Sequence, residues 1–436
     1  MTSLLSQPSL SKRPRPTTST TKSKTLRTFL STIKPHWLER TNVDRRSSDD
    51  LSKEEFITKY EAPGVPVILT GIVSKWQAST EWTREKLLQR FPDRLLRVSA
   101  TRDMTLKDYF DYVDQCDGTE ERPLYLFDKD FCLKIPEMND EFNIPKYFEQ
   151  DLMSVLGEEK RPDYKWLIIG PALSGSSFHV DPNCNFAWNA TIQGRKKWIL
   201  YPPGCPPPVS GAEDRQLCLP QWFHEHYDND ECVDQRMECI TEAGECMYVP
   251  RGWWHCVLNL EPCVAITHNV VTTQNLLPVV DFLEQASISC RSGEGCRGSI
   301  KFHFSGDVPT SVIYPYPDEL VKKVGEEEKD AVVETEVGEE EEEEAGGAEG
   351  GGEGDMCACS LEQYKLLINF QRGLARDHPG LLESLYAKRD VAKKRWWESK
   401  KEIPNDSVEP DETGGAGGAG GAGGGAAEFS FGFSFT

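Results

Sequence analysis

From Tyr164 onward the chain is a succession of short β-rich stretches cut by Gly and Pro turns, among them "KWLIIGPA", "KKWILY" and "CVAITHNV". Segments punctuated this often leave no room for the crossover helices of alternating βαβ units. They predict a sandwich or barrel of antiparallel strands, with core strands at about 164–275. Upstream the pattern is mixed. Ser52 followed by Glu55 is a capping-box signature opening a helix over "EEFITKYEA", and "VPVILTGI" reads as a buried strand. Strands are also expected at "RLLRVSA" and "PLYLFD", with a helix at "LKDYFDYVD" between them. The fold class is therefore mainly β with flanking helices and an N-terminal α/β elaboration.

The charge divides the chain further. Of the net charge of −22, fifteen acids against one lysine fall between Gly325 and Asp355, so residues 325–355 read as an acidic disordered linker that cannot bury a core. Residues 1–35 hold seven basic residues and no acid, which predicts a disordered basic arm. The globular part spans 36–317. Residues 360–400 carry Leu361, Tyr364, Leu367, Ile368 and Leu374, then Leu381, Leu385 and Tyr386, at helical spacing around a break at His378–Gly380. Ser360 with Gln363 predicts the start of the first of these helices. Residues 404–436 form a Gly/Ala-rich disordered tail ending in alternating Phe429, Phe431, Phe433 and Phe435. No run approaches eighteen apolar residues, which argues against a membrane span. Fourteen cysteines without a CxxC pair read as reduced thiols rather than a disulfide framework.

Three polar residues interrupt otherwise apolar strands. If "SSFHVDP" is a strand, His179 and Asp181 project to one face, and His255 follows a Pro-x-Gly turn at the start of another. Two imidazoles and a carboxylate on one side of a metal form a facial triad with open positions, a donor set suited to Fe(II) rather than to a closed structural zinc. The same residues also suit a satisfied barrel histidine and a "DPN" turn. In "KKWILY" either Lys196 or Lys197 must face the interior, where an ammonium needs an anion, and strand parity leaves the choice open. Thr267 and Asn269 alternate with apolar residues in "CVAITHNV". A hairpin through 260–262 would set Thr267 opposite His255, and polar groups so placed meet a ligand or each other. His224 and His226 make an H-x-H pair that a second metal could use.

The stretches "RPLYLFD", "GPALSGSSFHVDPNCNFAWNATIQGRKKWILYPP", "YVPRGWWHCVLNL" and "AITHN" resemble the Jumonji-C family of iron and 2-oxoglutarate dependent oxygenases, nearest its bifunctional arginine demethylase and lysyl-hydroxylase subgroup. The resemblance extends more loosely over about 37–317. It implies a double-stranded β-helix, a jelly-roll barrel of the cupin type, with C-terminal helices. It implies Fe(II) on His179, Asp181 and His255, with 2-oxoglutarate and dioxygen as co-substrates. The 2-oxoglutarate contacts would be Ser176, Asn189, Lys196, Thr267 and Tyr125, which selects Lys196 over Lys197. Position 176 is Ser where the subgroup tends to carry Thr, a change that keeps the hydroxyl. The insertion from Gly204 to Met237 would lie over the barrel mouth, and its acids would suit a basic peptide.

The activity so implied is hydroxylation or N-demethylation of lysine or arginine side chains in a protein substrate that is basic or related to chromatin or splicing. An RNA or tRNA base as substrate, or a non-catalytic scaffold, are the alternatives. The basic arm reads as a nuclear-import signal, with cytoplasm or an organelle transit peptide as alternatives. The apolar C-terminal helices must dock on the barrel or on a second copy, and a homodimer through them is expected.

Overall fold

The computed structural model describes residues 33–99, 102–116, 120, 122–208, 219–288 and 358–401. Most of the basic arm, residues 289–317, the acidic 325–355 segment and the tail with its alternating Phe residues lie outside the described residues.

Thirteen strands among these residues build two sheets. They are β1 (Asp44–Ser47), β2 (Val67–Thr70), β3 (Leu95–Val98), β4 (Arg102–Thr105), β5 (Leu126–Asp128), β6 (Lys165–Gly170) and β7 (Gly175–His179), then β8 (Phe186–Gln193), β9 (Lys196–Tyr201), β10 (Met237–Thr241), β11 (Glu245–Val249), β12 (Trp254–Asn259) and β13 (Cys263–Val270). The larger sheet has the order β1-β2-β11-β8-β13-β6-β5-β3-β4 and the smaller one β10-β9-β12-β7. Only β1 and β2 run parallel; every other pair is antiparallel. This is the jelly-roll arrangement expected of the barrel.

Strand alternation sorts the side chains into layers. On β8, Phe186, Trp188, Ala190 and Ile192 join the main apolar cluster, together with Val264, Ile266 and Val270 of β13 and the N-terminal residues Phe56, Trp76, Trp82 and Tyr109. The intervening Asn189 and Thr191 face the other way, toward the smaller sheet. The smaller sheet follows the same rule. Trp198, Leu200 and Val257 point inward with Met247, while Ile199, Tyr201, Cys256 and Leu258 pack outward.

The expected upstream helix forms as α1 (Lys53–Phe56) continued by a π-helical turn, Ile57–Glu61. Ser52 Oγ accepts from the Glu55 amide at 3.0 Å, but the Glu55 carboxylate turns to Arg46 and Lys59, so only half of the capping box is made. Further helices are α2 (Arg84–Arg90), α3 (Leu106–Gln115), α4 (Leu219–Glu225), α5 (Leu276–Ile288), α6 (Ala358–Asp377) and α7 (Leu381–Lys401). The helix starts at Ala358 rather than after Ser360, which lies inside its first turn. The break falls where expected, with Gly380 at φ +81°. None of the helices among the described residues is long and apolar enough to cross a membrane.

Two sequence expectations fail because the chain changes sheets. β12 and β13 are joined by 260–262, a hairpin-length loop, yet β12 lies in the smaller sheet and β13 in the larger. Thr267 therefore stands opposite Asn189, not His255. Strand β7 also ends at His179, and Asp181 precedes a short 3-10 turn at Pro182–Cys184. Proline cannot donate to a ladder, so Asp181 is held by the extended backbone just past the strand end.

The C-terminal helices dock on their own chain. Leu367, Phe370, Leu374 and Leu385 are buried with Leu152, Val279, Val280 and Leu283. Arg389 bonds Asp281 at 3.3 Å and Glu284 at 2.8 Å. Of the apolar residues from which pairing with a second copy was expected, Leu367 and Leu385 are buried within the chain and Leu381 and Tyr386 pack partly against the same cluster, while the side chains of Leu361 and Tyr364 lie outside the described residues. At Gly373 a methyl group would sit 2.6 Å from Val155 Cγ2 and 3.0 Å from the Val155 carbonyl oxygen. Gly373→Ala should lower stability by about 1–3 kcal/mol through overpacking, although at an open helical site it would add roughly 1 kcal/mol. A rise in melting temperature would show that α6 does not lie against residues 152–156.

Candidate metal centre

The β7–β12 ladder sets His179 directly opposite His255, with ring centroids 4.2 Å apart. Asp181 completes the group. One ligand atom from each of the three lies within 4.8 Å of the other two, and this is the one such cluster of three or more His, Cys, Asp or Glu among the described residues. His224 and His226 gather no third partner of that kind there.

Both rings are oriented by the backbone. His179 Nδ1 meets the Ser177 carbonyl at 2.8 Å and His255 Nδ1 meets the Trp253 carbonyl at 3.1 Å. A carbonyl only accepts, so each Nδ1 carries the proton and each lone pair is on Nε2. Burial pushes both imidazoles down to about 4, aided at His179 by the neighbouring His255, so both are neutral ligands at physiological pH. Burial also raises the Asp181 carboxyl, opposed by His179 and by the Asn269 amide. Neither Asp181 Oδ2 nor Asn269 Nδ2 completes a hydrogen bond among the described residues. A buried carboxylate oxygen and two oriented Nε2 lone pairs are the donor set of an open facial triad.

The remaining expected residues spread along the interior. β7 carries a bulge opposite β12, where His255 pairs with His179 but Val257 pairs with Ser176. The extra residue returns Ser176 to the His179 face. In the larger sheet Thr267 faces Asn189, and its hydroxyl donates to the Trp188 carbonyl at 3.2 Å. Asn189 Oδ1 is buried without a partner among the described residues. Tyr125 is buried and meets the Asn259 side chain.

The two lysines are both buried, on opposite faces of β9. Lys197 points outward to Glu238 at 2.7 Å, within a network of Arg236, Asp230, Tyr201 and Tyr227. Lys196 points inward and forms no ion pair among the described residues, and burial drives its pKa down.

Asn259 escaped the sequence reading. It is fully buried on the His255 face of β12, opposite Lys196, and its Oδ1 has no partner among the described residues. Alternation from His255 through Val257 would have found it. Trp198, which stacks against His255 with centroids 6.2 Å apart, was also missed. Of the insertion expected over the barrel mouth, residues 209–218 lie outside the described residues, and the described part packs elsewhere. Its α4 covers the outer face of the smaller sheet through Leu219, Trp222 and Phe223, and Asp230 is consumed by Arg236 and Tyr201.

Asp181→Ala should weaken Mn(II) binding in a calorimetric titration, with the far-UV spectrum unchanged. Even losing an outer partner of a ligand costs 10–100-fold, so loss of the ligand itself should cost at least about tenfold. An unchanged affinity would remove Asp181 from the group.

A family model described as a cupin-like domain matches residues 52–270. The arginine-specific demethylase JMJ22 of Arabidopsis thaliana is 43% identical over 307 residues, covering 69% of this chain and 60% of that protein. The bifunctional arginine demethylase and lysyl-hydroxylase psr-1 of Caenorhabditis elegans is 33% identical over 262 residues, 54% of this chain and 63% of its own length. The 2-oxoglutarate and iron-dependent oxygenase JMJD4 of Homo sapiens is 29% identical over 265 residues, 54% of this chain and 62% of that protein. The chain thus matches about three fifths of the length of these three relatives. The matched 52–270 takes in half of the chain and nearly all of both sheets, in keeping with the Jumonji-C resemblance, and the chain belongs to the cupin-like family.

Proposed function

We propose that the chain is an Fe(II)- and 2-oxoglutarate-dependent oxygenase that hydroxylates or N-demethylates lysine or arginine side chains of proteins. The observation that carries this reading is the pair of backbone-oriented imidazoles with Asp181, set beside an interior whose ammonium lacks an acid among the described residues. The names of the relatives agree with it.

His179, Asp181 and His255 would hold the iron. When bound, iron with 2-oxoglutarate and dioxygen supplies oxidative hydroxylation of an unactivated C–H bond, and hydroxylation of an N-methyl carbon leads to loss of the methyl group. The chain's part is orientation and exclusion of water. The Ser177 and Trp253 carbonyls fix the ring tautomers, and Trp198 backs His255. Lys196 lies four residues along β9 from Leu200, the register partner of His255. That is about 13 Å of strand, a span suited to a lysine stem reaching toward the far end of a five-carbon dicarboxylate. Asn189, Asn259, Thr267, Ser176 and Tyr125 supply the polar wall, and Met247, Val249 and Val257 the dry one.

Two measurements test this. Incubating the full chain with Fe(II), 2-oxoglutarate and peptides bearing methylated and unmethylated arginine and lysine should yield succinate and a peptide gaining oxygen or losing a methyl group by mass spectrometry. Succinate formation that survives in Asp181→Ala would contradict the reading. The second separates the lysines. Lys196→Ala should raise the KM for 2-oxoglutarate by about ten- to a hundredfold, the loss of a charge-assisted bond of roughly 1.5–3 kcal/mol. Lys197→Ala removes one of the buried cations on Glu238, leaving Arg236 and Tyr227 in place, and should instead destabilise the fold by roughly 1.5–3 kcal/mol. The opposite pattern would reverse the facing of β9.

A further inference from the structure

Asp181 stands outside the β7–β12 ladder that pairs the two histidines, so another part of the chain must fix its position. The turn behind it is strained. After Pro182 come two successive non-glycine residues in the left-handed region, Asn183 at φ 54° and Cys184 at φ 53°. An L side chain there crowds its own backbone, so such a turn persists only where its surroundings hold it. Within the turn the Asn185 amide donates to the Pro182 carbonyl at 3.1 Å, which leaves the Cys184 carbonyl to a partner from elsewhere.

That partner is Asn275, a buried side chain whose Nδ2 donates at 3.3 Å both to the Cys184 carbonyl and to the carbonyl of Val270, the last residue of β13. Val270 pairs with Phe186, the first residue of β8, so the two bonds join the exit of the turn to the strand beside it. The backbone carbonyl of Asn275 opens α5 by accepting from the Val279 amide at 3.1 Å. An asparagine in that place ordinarily bonds the first amides of its own helix. This one turns its Oδ1 back to accept from the Thr272 amide at 2.7 Å. With two carbonyls on its nitrogen and an N–H on its oxygen, the amide fits only one way round, and a carboxylate could not replace it. The Cys184 side chain is gripped as well, packed against the cluster that α5 shares with the C-terminal helices.

We propose that Asn275 is a positioning residue for Asp181: by clamping the left-handed turn to the end of β13, it holds the Asp181 carboxylate within the group formed with His179 and His255. The inference rests on the metal reading of that group, and it concerns a residue beyond the matched 52–270.

The test reads the turn and the metal separately, on the full chain. In Asn275→Ala, Mn(II) affinity by calorimetry should fall roughly ten- to a hundredfold, the usual loss when a group that orients a ligand is removed. In the same metal-free variant, N-ethylmaleimide should alkylate Cys184 faster than in the wild type, as followed by peptide mass spectrometry. Asn275→Asp keeps the acceptor for Thr272 and loses the donor, so it should weaken Mn(II) as well, although its added negative charge alone would favour a cation. Gly373→Ala loosens the same helical layer without touching the turn, and it should bind Mn(II) as the wild type does. Variants of Asn275 that bind Mn(II) as tightly as the wild type, an unchanged rate at Cys184, or an equal loss in Gly373→Ala would overturn the proposal and leave the metal centre standing. A wild-type chain that takes up no Mn(II) would overturn the metal reading and this inference with it.

Discussion

The ladder between β7 and β12 holds the two histidines side by side, and the rest of the interior is arranged around it. Its bulge is what makes the arrangement work. Two residues of β12 span three of β7, so Ser176 and His179 both face inward although they are three apart. Phe178 swings outward onto Trp222. The extra residue also contributes directly, since the Ser177 carbonyl orients the His179 ring. The arrangement has a cost, because Ser177 Oγ is buried with no partner among the described residues. Bulges next to functional groups commonly re-aim side chains in this way, and strain or unmet polarity tolerated there is a mark of function rather than of stability.

The same division between a completed outside and an incomplete inside runs through the charges. On the outer face of the smaller sheet, Lys197 and Arg236 are matched by Glu238 and Asp230, with Tyr201 and Tyr227 closing the network. Burying ions there is tolerable because each is paired and hydrogen-bonded. On the inner face, Lys196 has no acid among the described residues, and Asn189, Asn259, Asn269 and Asp181 each keep a polar atom unpartnered there. Native proteins rarely leave so many buried groups unmet in one place. An anionic, oxygen-rich ligand beside a metal would complete them together.

Much of this was legible in the sequence. Period-2 alternation with frequent Gly and Pro turns gave a β barrel, and the His179, Asp181 and His255 pattern stood out against apolar neighbours. What failed was what local rules do not encode. The three residues at 260–262 have the length of a hairpin loop, but the strands they join belong to different sheets, so the register of Thr267 came out wrong. The bulge at 177–178, between Ser176 and His179, leaves no sequence mark of its own. The facing of β9 could not be decided from parity because both lysines are buried, one against Glu238 and one toward the interior. Asn259, by contrast, was within reach of simple alternation from His255. The C-terminal helices were recognised from their periodicity, while their target, α5 and residues 152–156, is a tertiary choice that spacing cannot express.

The central claim is that the three side chains hold iron with adjacent positions left open for a chelating keto acid. Anaerobic titration of the Fe(II)-loaded full chain with 2-oxoglutarate, followed by visible absorption, tests it most directly. Chelation through the keto acid end predicts a metal-to-ligand charge-transfer band that grows with added 2-oxoglutarate and saturates at one equivalent per iron. Iron that binds with no such band at saturating 2-oxoglutarate would contradict the account.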